Sequence, residues 1–245
     1  MTAAFTLEGD SGRFIAVVLG CRALRDLRHR PRANRRLEWL MDDSQHHVFL
    51  LSPAHCGGKR AQVLMNVAAT FPLAERLRSP AGVTLGEAFS FLSGLYFRGK
   101  LAYASRFGRP SSDRAPGPLV ITANRGLVPA DTIIGVSDLR EFGTVDIRTD
   151  DERYRAPLVR DARALAGEPL TSVVLLGSVA TGKYVDILLE IFGDRLLFPS
   201  QFVGRGDMSR GALLLRAVRE GTELDYQPVA GAIRRGSRAA RIGES

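Results

Sequence analysis

Cysteine, histidine, long apolar runs and acidic charge are all in short supply in this sequence. Its two cysteines, Cys21 and Cys56, stand at a spacing no metal motif uses, which excludes a disulfide framework and a thiolate metal site. Four histidines are too scattered to propose a metal centre, and no cofactor is expected. No stretch approaches the ~20 apolar residues of a membrane span. The N-terminus lacks a basic segment followed by an apolar core and a cleavage site, so a cytoplasmic protein with reduced thiols is expected. Acidic residues number 26 against 34 lysines and arginines, a net charge of +8. That excess suits a polyanionic partner such as DNA, because clustered arginines bind phosphate by releasing counterions; an arginine-rich proteome accounts for it equally well. At 245 residues, with 45% hydrophobic and 24% charged content, the chain suffices for one full-sized core and excludes wholesale disorder.

What is present is an alternation of short apolar runs and helical periodicity. Phe14–Cys21, Val48–Leu51, Leu119–Thr122, Ser172–Leu176 and Arg195–Phe198 read as strands. Helical patterns cover 60–64, 73–77, 85–107, 157–166, 184–192 and 212–219, with Gly94 and Gly99 placed to split the longest. Arg109–Pro118 reads as a loop. Strand, polar loop and helix in repeated order predict a single three-layer α/β domain with a mostly parallel central sheet. Residues 1–45 would form an N-terminal strand and basic arm packed on the core, 46–231 the α/β domain binding nucleic acid or a nucleobase, and 232–245 a basic flexible tail. Ligands of such sheets sit outside the carboxyl ends of the strands, where four polar loops fall.

Gly177-Ser-Val-Ala-Thr-Gly-Lys183 follows a strand and opens a helix, so Gly177, Ser178, Thr181, Gly182 and Lys183 are candidates to grip phosphate. Tyr184 stands where a magnesium-holding Ser or Thr belongs in a nucleotide hydrolase, and no later strand ends in the acidic residue such chemistry needs. A tight strand-to-helix turn explains the glycines as well. In Gly204-Arg-Gly-Asp-Met-Ser-Arg-Gly211, Asp207 is the first candidate for activating water, while Arg205, Ser209 and Arg210 would hold phosphate. The competing role of this loop is capping of the next helix by Asp207 or Ser209. Asn124 and Arg125 are residue types that read base edges, and Asp131 beyond them is the second catalytic candidate. Cys56 has no identifiable histidine and acid to make it a nucleophile, so Ser52–Lys59 reads as a phosphate- or base-contacting loop. Tyr96 and Lys100 share a helix face at i, i+4.

Leu50-Leu-Ser-Pro53 with Lys59, Leu95-Tyr-Phe-Arg98 with Ala102-Tyr103, Ile121-Thr-Ala-Asn-Arg-Gly-Leu-Val-Pro129 and the glycine-rich loop from Arg205 occur in an order spanning roughly residues 46 to 220. This set resembles bacterial proteins distantly related to the YaaA peroxide-stress family and, through them, the uracil-DNA glycosylase fold. Met208-Ser-Arg-Gly211 is similar to a strand-end loop of those glycosylases, whereas Ser52-Pro53 stands where their water-activating Asp-Pro would be. The resemblance implies a DNA- or nucleobase-directed role, with Ser52, Tyr96, Asn124 and Arg125 on the base and Lys59 and Arg98 on phosphate. It makes the expected function excision of a modified base from DNA by N-glycosidic hydrolysis, in a setting such as defence against phage. The rivals are a non-catalytic DNA- or nucleotide-binding protein of the same fold and a nucleotide hydrolase.

Overall fold

A computed structural model describes residues 46–108, 117–168, 171–180 and 182–232. The expected strand at 14–21, the arginine-rich arm, Thr181 and the tail beyond Ala232 lie outside the described residues.

β1 (His46–Leu51) and β6 (Thr171–Leu176) are short apolar runs of the kind a sheet covered on both faces requires, and Val48–Leu51 and Val173–Leu176 are all buried. They pair in parallel along their full length, from His46 opposite Thr171 to Leu51 opposite Leu176. β3 (Leu119–Ile121) pairs in parallel with the other edge of β1, and β7 (Leu196–Pro199) with the other edge of β6. Two antiparallel strands close the edges: β4 (Leu127–Pro129) against β3, and β8 (Tyr226–Pro228) against β7. The resulting order is β4-β3-β1-β6-β7-β8, a mostly parallel six-stranded sheet flanked by helices, as the sequence pattern predicts. From β1 the chain goes first to the β3 side and then crosses to β6. The carboxyl ends of β1 and β6 therefore flank a topological switch point, where open parallel sheets leave a crevice.

β2 (Val83–Thr84) and β5 (Ile133–Ile134) form a separate two-residue ladder beside the sheet. Thr84 ends β2 and caps α3 (Leu85–Ser93). Its hydroxyl accepts from Glu87 N at 3.1 Å, and the Glu87 carboxylate accepts from Thr84 N at 3.0 Å. Gly94, at φ 64°, then turns the chain from α3 into α4 (Leu95–Phe107), so the long helical pattern is two helices broken at Gly94. Gly99 does not break it. A Cβ there would lie 2.8 Å from Gly211 O, because α4 and α8 (Asp207–Glu220) cross backbone to backbone. α8 begins at Asp207, not at Ala212 as the glycine-rich sequence suggests. Gly211 thus serves close helix packing rather than approach of a ligand. α6 (Glu152–Ala166) and α7 (Gly182–Phe192) form the second packed helix pair. The shorter α1 (Lys59–Met65), α2 (Pro72–Arg78) and α5 (Val136–Phe142) lie in the connections.

Candidate active site

A cavity of about 500 Å³ opens over the carboxyl ends of β1 and β6. Its apolar wall residues include Phe89, Phe142, Val145 and Ile147, with the Tyr96 ring beside them. Its polar groups include Ser52, Lys100, Ser178, Tyr184, Lys183, Asp146 and Asp207, with His55, Ser93 and the Tyr96 hydroxyl also in the lining. Apolar and polar surface are about evenly matched in the lining, so the cavity offers a small molecule both packing area and several hydrogen-bonding groups.

Ser52, the first residue past β1, is buried at the floor, and its N–H continues the sheet by donating to Leu176 O at 3.1 Å. Gly177, the first residue past β6, packs directly on it. A Cβ at position 177 would come within 2.8 Å of Ser52 Cβ and 2.9 Å of the Tyr184 hydroxyl. Tyr184 donates to Ser178 O at 3.1 Å; its pKa is raised by burial, an effect opposed by hydrogen bonding to Ser52. From α4, Lys100 donates to the carbonyl and hydroxyl oxygens of Ser52 at 2.6 and 2.8 Å. Tyr96 lies one turn before Lys100 on the same face, as their spacing predicts. Its hydroxyl is buried without a hydrogen-bond partner of good geometry, although Arg210 is close enough to oppose the upward push of burial on its pKa. Lys100 is 1% exposed, and burial pulls its pKa down to about 7, with Asp207 opposing.

Asp207, the first residue of α8, stands exposed at the mouth, 3.5 Å from the Arg210 guanidinium. Asp146, which follows α5 and which sequence reasoning passed over, is the second carboxylate lining the cavity. Asp131, the expected second catalytic acid, is not there. β4 runs antiparallel to β3, and Ala130 N bonds back to Pro118 O, so the chain at 131 has returned to the amino end of β3, away from the crevice.

Several other candidates are placed elsewhere for identifiable reasons. Asn124 and Arg125 form the β3–β4 turn, but α5 carries the acids that engage them. Asn124 donates to Glu141 at 2.8 Å, and Arg125 pairs with Asp138 at 2.8 Å and also with Glu141, its guanidinium over the Phe142 ring. They brace the wall without lining it. Arg210 is buried, donates to Phe202 O at 3.2 Å and stacks over the Phe202 ring, so it is not a free phosphate grip. Arg205 is exposed, donating to Gln201 O and to Ser209 Oγ. Lys59 opens α1 on the exposed surface, and Arg98 faces a separate groove with Arg60, Leu73 and Met208. In the Gly177–Lys183 loop, Ser178 and Lys183 reach the cavity. At Gly182 the Asp186 carboxylate folds back into the space a Cβ would occupy, bringing negative charge to the start of α7 where a phosphate would sit. Cys56 is buried and its pKa is pushed up to about 12, which keeps it a thiol and removes it as a nucleophile. Among the described residues no group of three or more His, Cys, Asp or Glu is arranged to hold a metal ion, and no helix is long and apolar enough to cross a membrane.

No known protein family, curated protein or solved structure matches this chain. Of the expected site residues, Ser52, Tyr96, Ser178, Lys183 and Asp207 line the cavity.

Proposed function

We propose that this chain is a DNA N-glycosylase of uracil-DNA glycosylase-like fold, which receives a modified nucleotide turned out of the duplex and hydrolyses its glycosidic bond. The observation that carries the reading is the cavity at the switch point, with the Phe89, Tyr96 and Phe142 rings available to a planar base, a polar floor, and a carboxylate at its mouth. A base turned into such a cavity leaves its sugar at the mouth. Asp207 is there to activate water or to stabilise the positive charge developing on the sugar. Asp146 is the second acid within the same lining. Turning the nucleotide out costs a few kcal/mol. Phosphate contacts from Lys183 and Arg205 offset that cost, as does the segment after Ala232, which carries four arginines against one glutamate. Modified phage DNA is the substrate to which the sequence resemblance points.

A binding role without catalysis is the second reading. It is favoured by Asp207 being exposed and paired with Arg210 rather than enclosed. The two are separated by incubating the protein with DNAs bearing different modified cytosines and thymines and probing for alkali-labile sites. The enzyme reading expects abasic sites on at least one substrate. It also expects Asp207→Asn to lower their formation by about 10²–10⁴-fold with DNA binding nearly unchanged. Full cleavage by that variant removes Asp207 from the mechanism. Salt-sensitive DNA binding with no abasic site on any substrate replaces the enzyme by the binding protein.

A further inference from the structure

Lys100 takes part in none of the roles assigned so far. Its side chain passes between the Tyr96 and Phe97 rings, with Nζ 4.7 Å from each ring centroid, and ends on two uncharged oxygens of Ser52. Buried cations are ordinarily paired, because removing an ammonium from water is costly. Among the described residues no carboxylate forms an ion pair with Lys100. The acid that acts on it, Asp207, is 71% exposed and already beside Arg210. The other charged or titratable groups turned toward this cavity are Lys183 and Tyr184 from α7, Asp146 from the segment after α5, and His55 and Cys56 from the loop after β1. None of them supplies an enclosed counter-charge.

The Tyr96 hydroxyl deepens the imbalance. Tyr96 is 5% exposed and lines the same cavity; the neighbouring Arg210 guanidinium can only donate to its oxygen, so the O–H has no acceptor among the described residues. An ammonium has three N–H donors, and Ser52 takes two of those of Lys100. Two neighbouring groups in one cavity wall thus hold donors that nothing among the described residues accepts. Buried polar groups are almost always satisfied, and both donors belong to residues lining the cavity, where a bound molecule can accept from them.

We infer that the cavity floor binds a ligand oxygen bearing full or partial negative charge, such as a carbonyl oxygen of a pyrimidinedione or 6-oxopurine base, with Lys100 and Tyr96 as its two donors. The inference rests on the nucleobase reading of the cavity and narrows it to bases that present a carbonyl edge. A base presenting an amino group sets donor against donor and is rejected. Binding is also coupled to a proton. Burial holds the lysine near its half-charged point at about pH 7, and a negatively polarised oxygen draws a proton from solvent onto it. Uptake on binding is therefore small at about pH 6, where the ammonium is already formed, and approaches one proton at about pH 8.

The test is calorimetric titration of the full chain with free uracil and hypoxanthine, and with adenine as the contrast. It is run in two buffers of different ionisation heat, at about pH 6 and about pH 8. Both oxo bases should bind, adenine on the order of tenfold more weakly or worse, with uptake of more than about half a proton at the higher pH. Lys100→Met should abolish the uptake and weaken binding on the order of tenfold, while Tyr96→Phe should weaken binding and keep the uptake. Failure of both oxo bases to bind, equal binding of adenine, or no proton uptake at the higher pH overturns the inference, as does wild-type binding by folded Lys100→Met. If Lys100→Met does not fold, the wild-type proton count and Tyr96→Phe decide. None of these readouts needs a bond to break. Proton-linked binding of oxo bases, with no abasic site on any DNA, retires the glycosylase and leaves the floor as described.

Discussion

Lys100→Met should change the pH dependence of stability more than stability itself. The unfolded lysine titrates at its ordinary 10.5, while burial lowers the folded value to about 7. Between those values the unfolded chain binds the extra proton, so stability rises with pH across that window. The contribution is complete above the unfolded pKa, is lost as pH falls toward 7, and is flat below it. The limiting slope is about 1.4 kcal/mol per pH unit, and because titration near 7 is incomplete the gain from pH 7 to pH 9 is about 2 kcal/mol. Methionine fills similar volume without a charge, so the variant should lack this rise. At any single pH the comparison is less informative. The variant is relieved of a buried ammonium but leaves Ser52 O without its donor, at a cost of about 1–3 kcal/mol. Urea unfolding of both proteins at several pH values between 6 and 9 measures the difference directly. Histidines and other shared groups cancel in it, and Cys56 ionises in the unfolded chain only toward the top of the range. Parallel stability curves for the two proteins would refute the claim that Lys100 is a desolvated amine.

Three further outcomes follow from close contacts and burial. Gly177→Ala should destabilise by about 1–3 kcal/mol, since its Cβ meets Ser52 and Tyr184 below 3 Å, and it should weaken any ligand of the cavity; an unchanged urea midpoint would refute this. Gly211→Ala gains about 1 kcal/mol of helix propensity, yet its Cβ lies 2.9 Å from both Leu95 O and Tyr96 Cα. That contact is with backbone and cannot yield, so a lower Tm is expected, and a raised one would show that the α4–α8 crossing is looser than described. In a Cys21→Ser background, Cys56 should react with a thiol reagent at about pH 8 far more slowly when folded than in urea, because burial holds its pKa near 12. Equal rates would place Cys56 at an open surface.

The parts of the fold that were legible are those where one strong signal acts alone. Val48–Leu51, Leu119–Ile121 and Val173–Leu176 are uninterrupted apolar runs, and each is a parallel strand within a residue or two of its expected bounds. β4, β5 and β8 span only two or three residues, and β4 and β8 end in proline; they exist because neighbouring strands offer an edge, which no local pattern records. α8 was misplaced at its start for a related reason. Glycine normally weakens a helix, so a segment with three of them reads as a loop, whereas Gly211 is there because Leu95 and Tyr96 leave no room for a side chain. The site followed the same division. Ser52, Tyr96, Ser178, Lys183 and Asp207 sit at strand ends or on a predicted face, and they do meet. Asp131 and Asp146 are both acids in turns, and the direction of β4, invisible in sequence, separates them. The i, i+4 spacing puts Lys100 on the face of Tyr96, but its burial is a tertiary fact: lysine is normally solvated, and the Ser52 oxygens and two aromatic rings hold it inside.

The loop from Gly177 to Lys183 shows how far a motif can be carried by sequence. Its resemblance to a phosphate cradle comes from two glycines and a terminal lysine, and each has its own explanation in three dimensions. Gly177 lacks a side chain so that β6 can end against Ser52 and Tyr184, and that contact builds the cavity floor. Gly182 leaves space for the Asp186 carboxylate, which places one negative charge where a phosphate would be a second. Lys183 keeps its side chain exposed at the cavity rim, where it can meet an anion on its own. If the loop meets DNA as proposed, the contact expected there is the single Lys183 ammonium rather than a ring of backbone donors. Lys183→Ala should lower DNA affinity uniformly across sequences and reduce its salt slope by about 1. A backbone cradle, by contrast, would survive the loss of that side chain with its affinity largely intact. Nucleotide in place of DNA is then the harder case for this protein, because a triphosphate needs the cradle that Asp186 occupies.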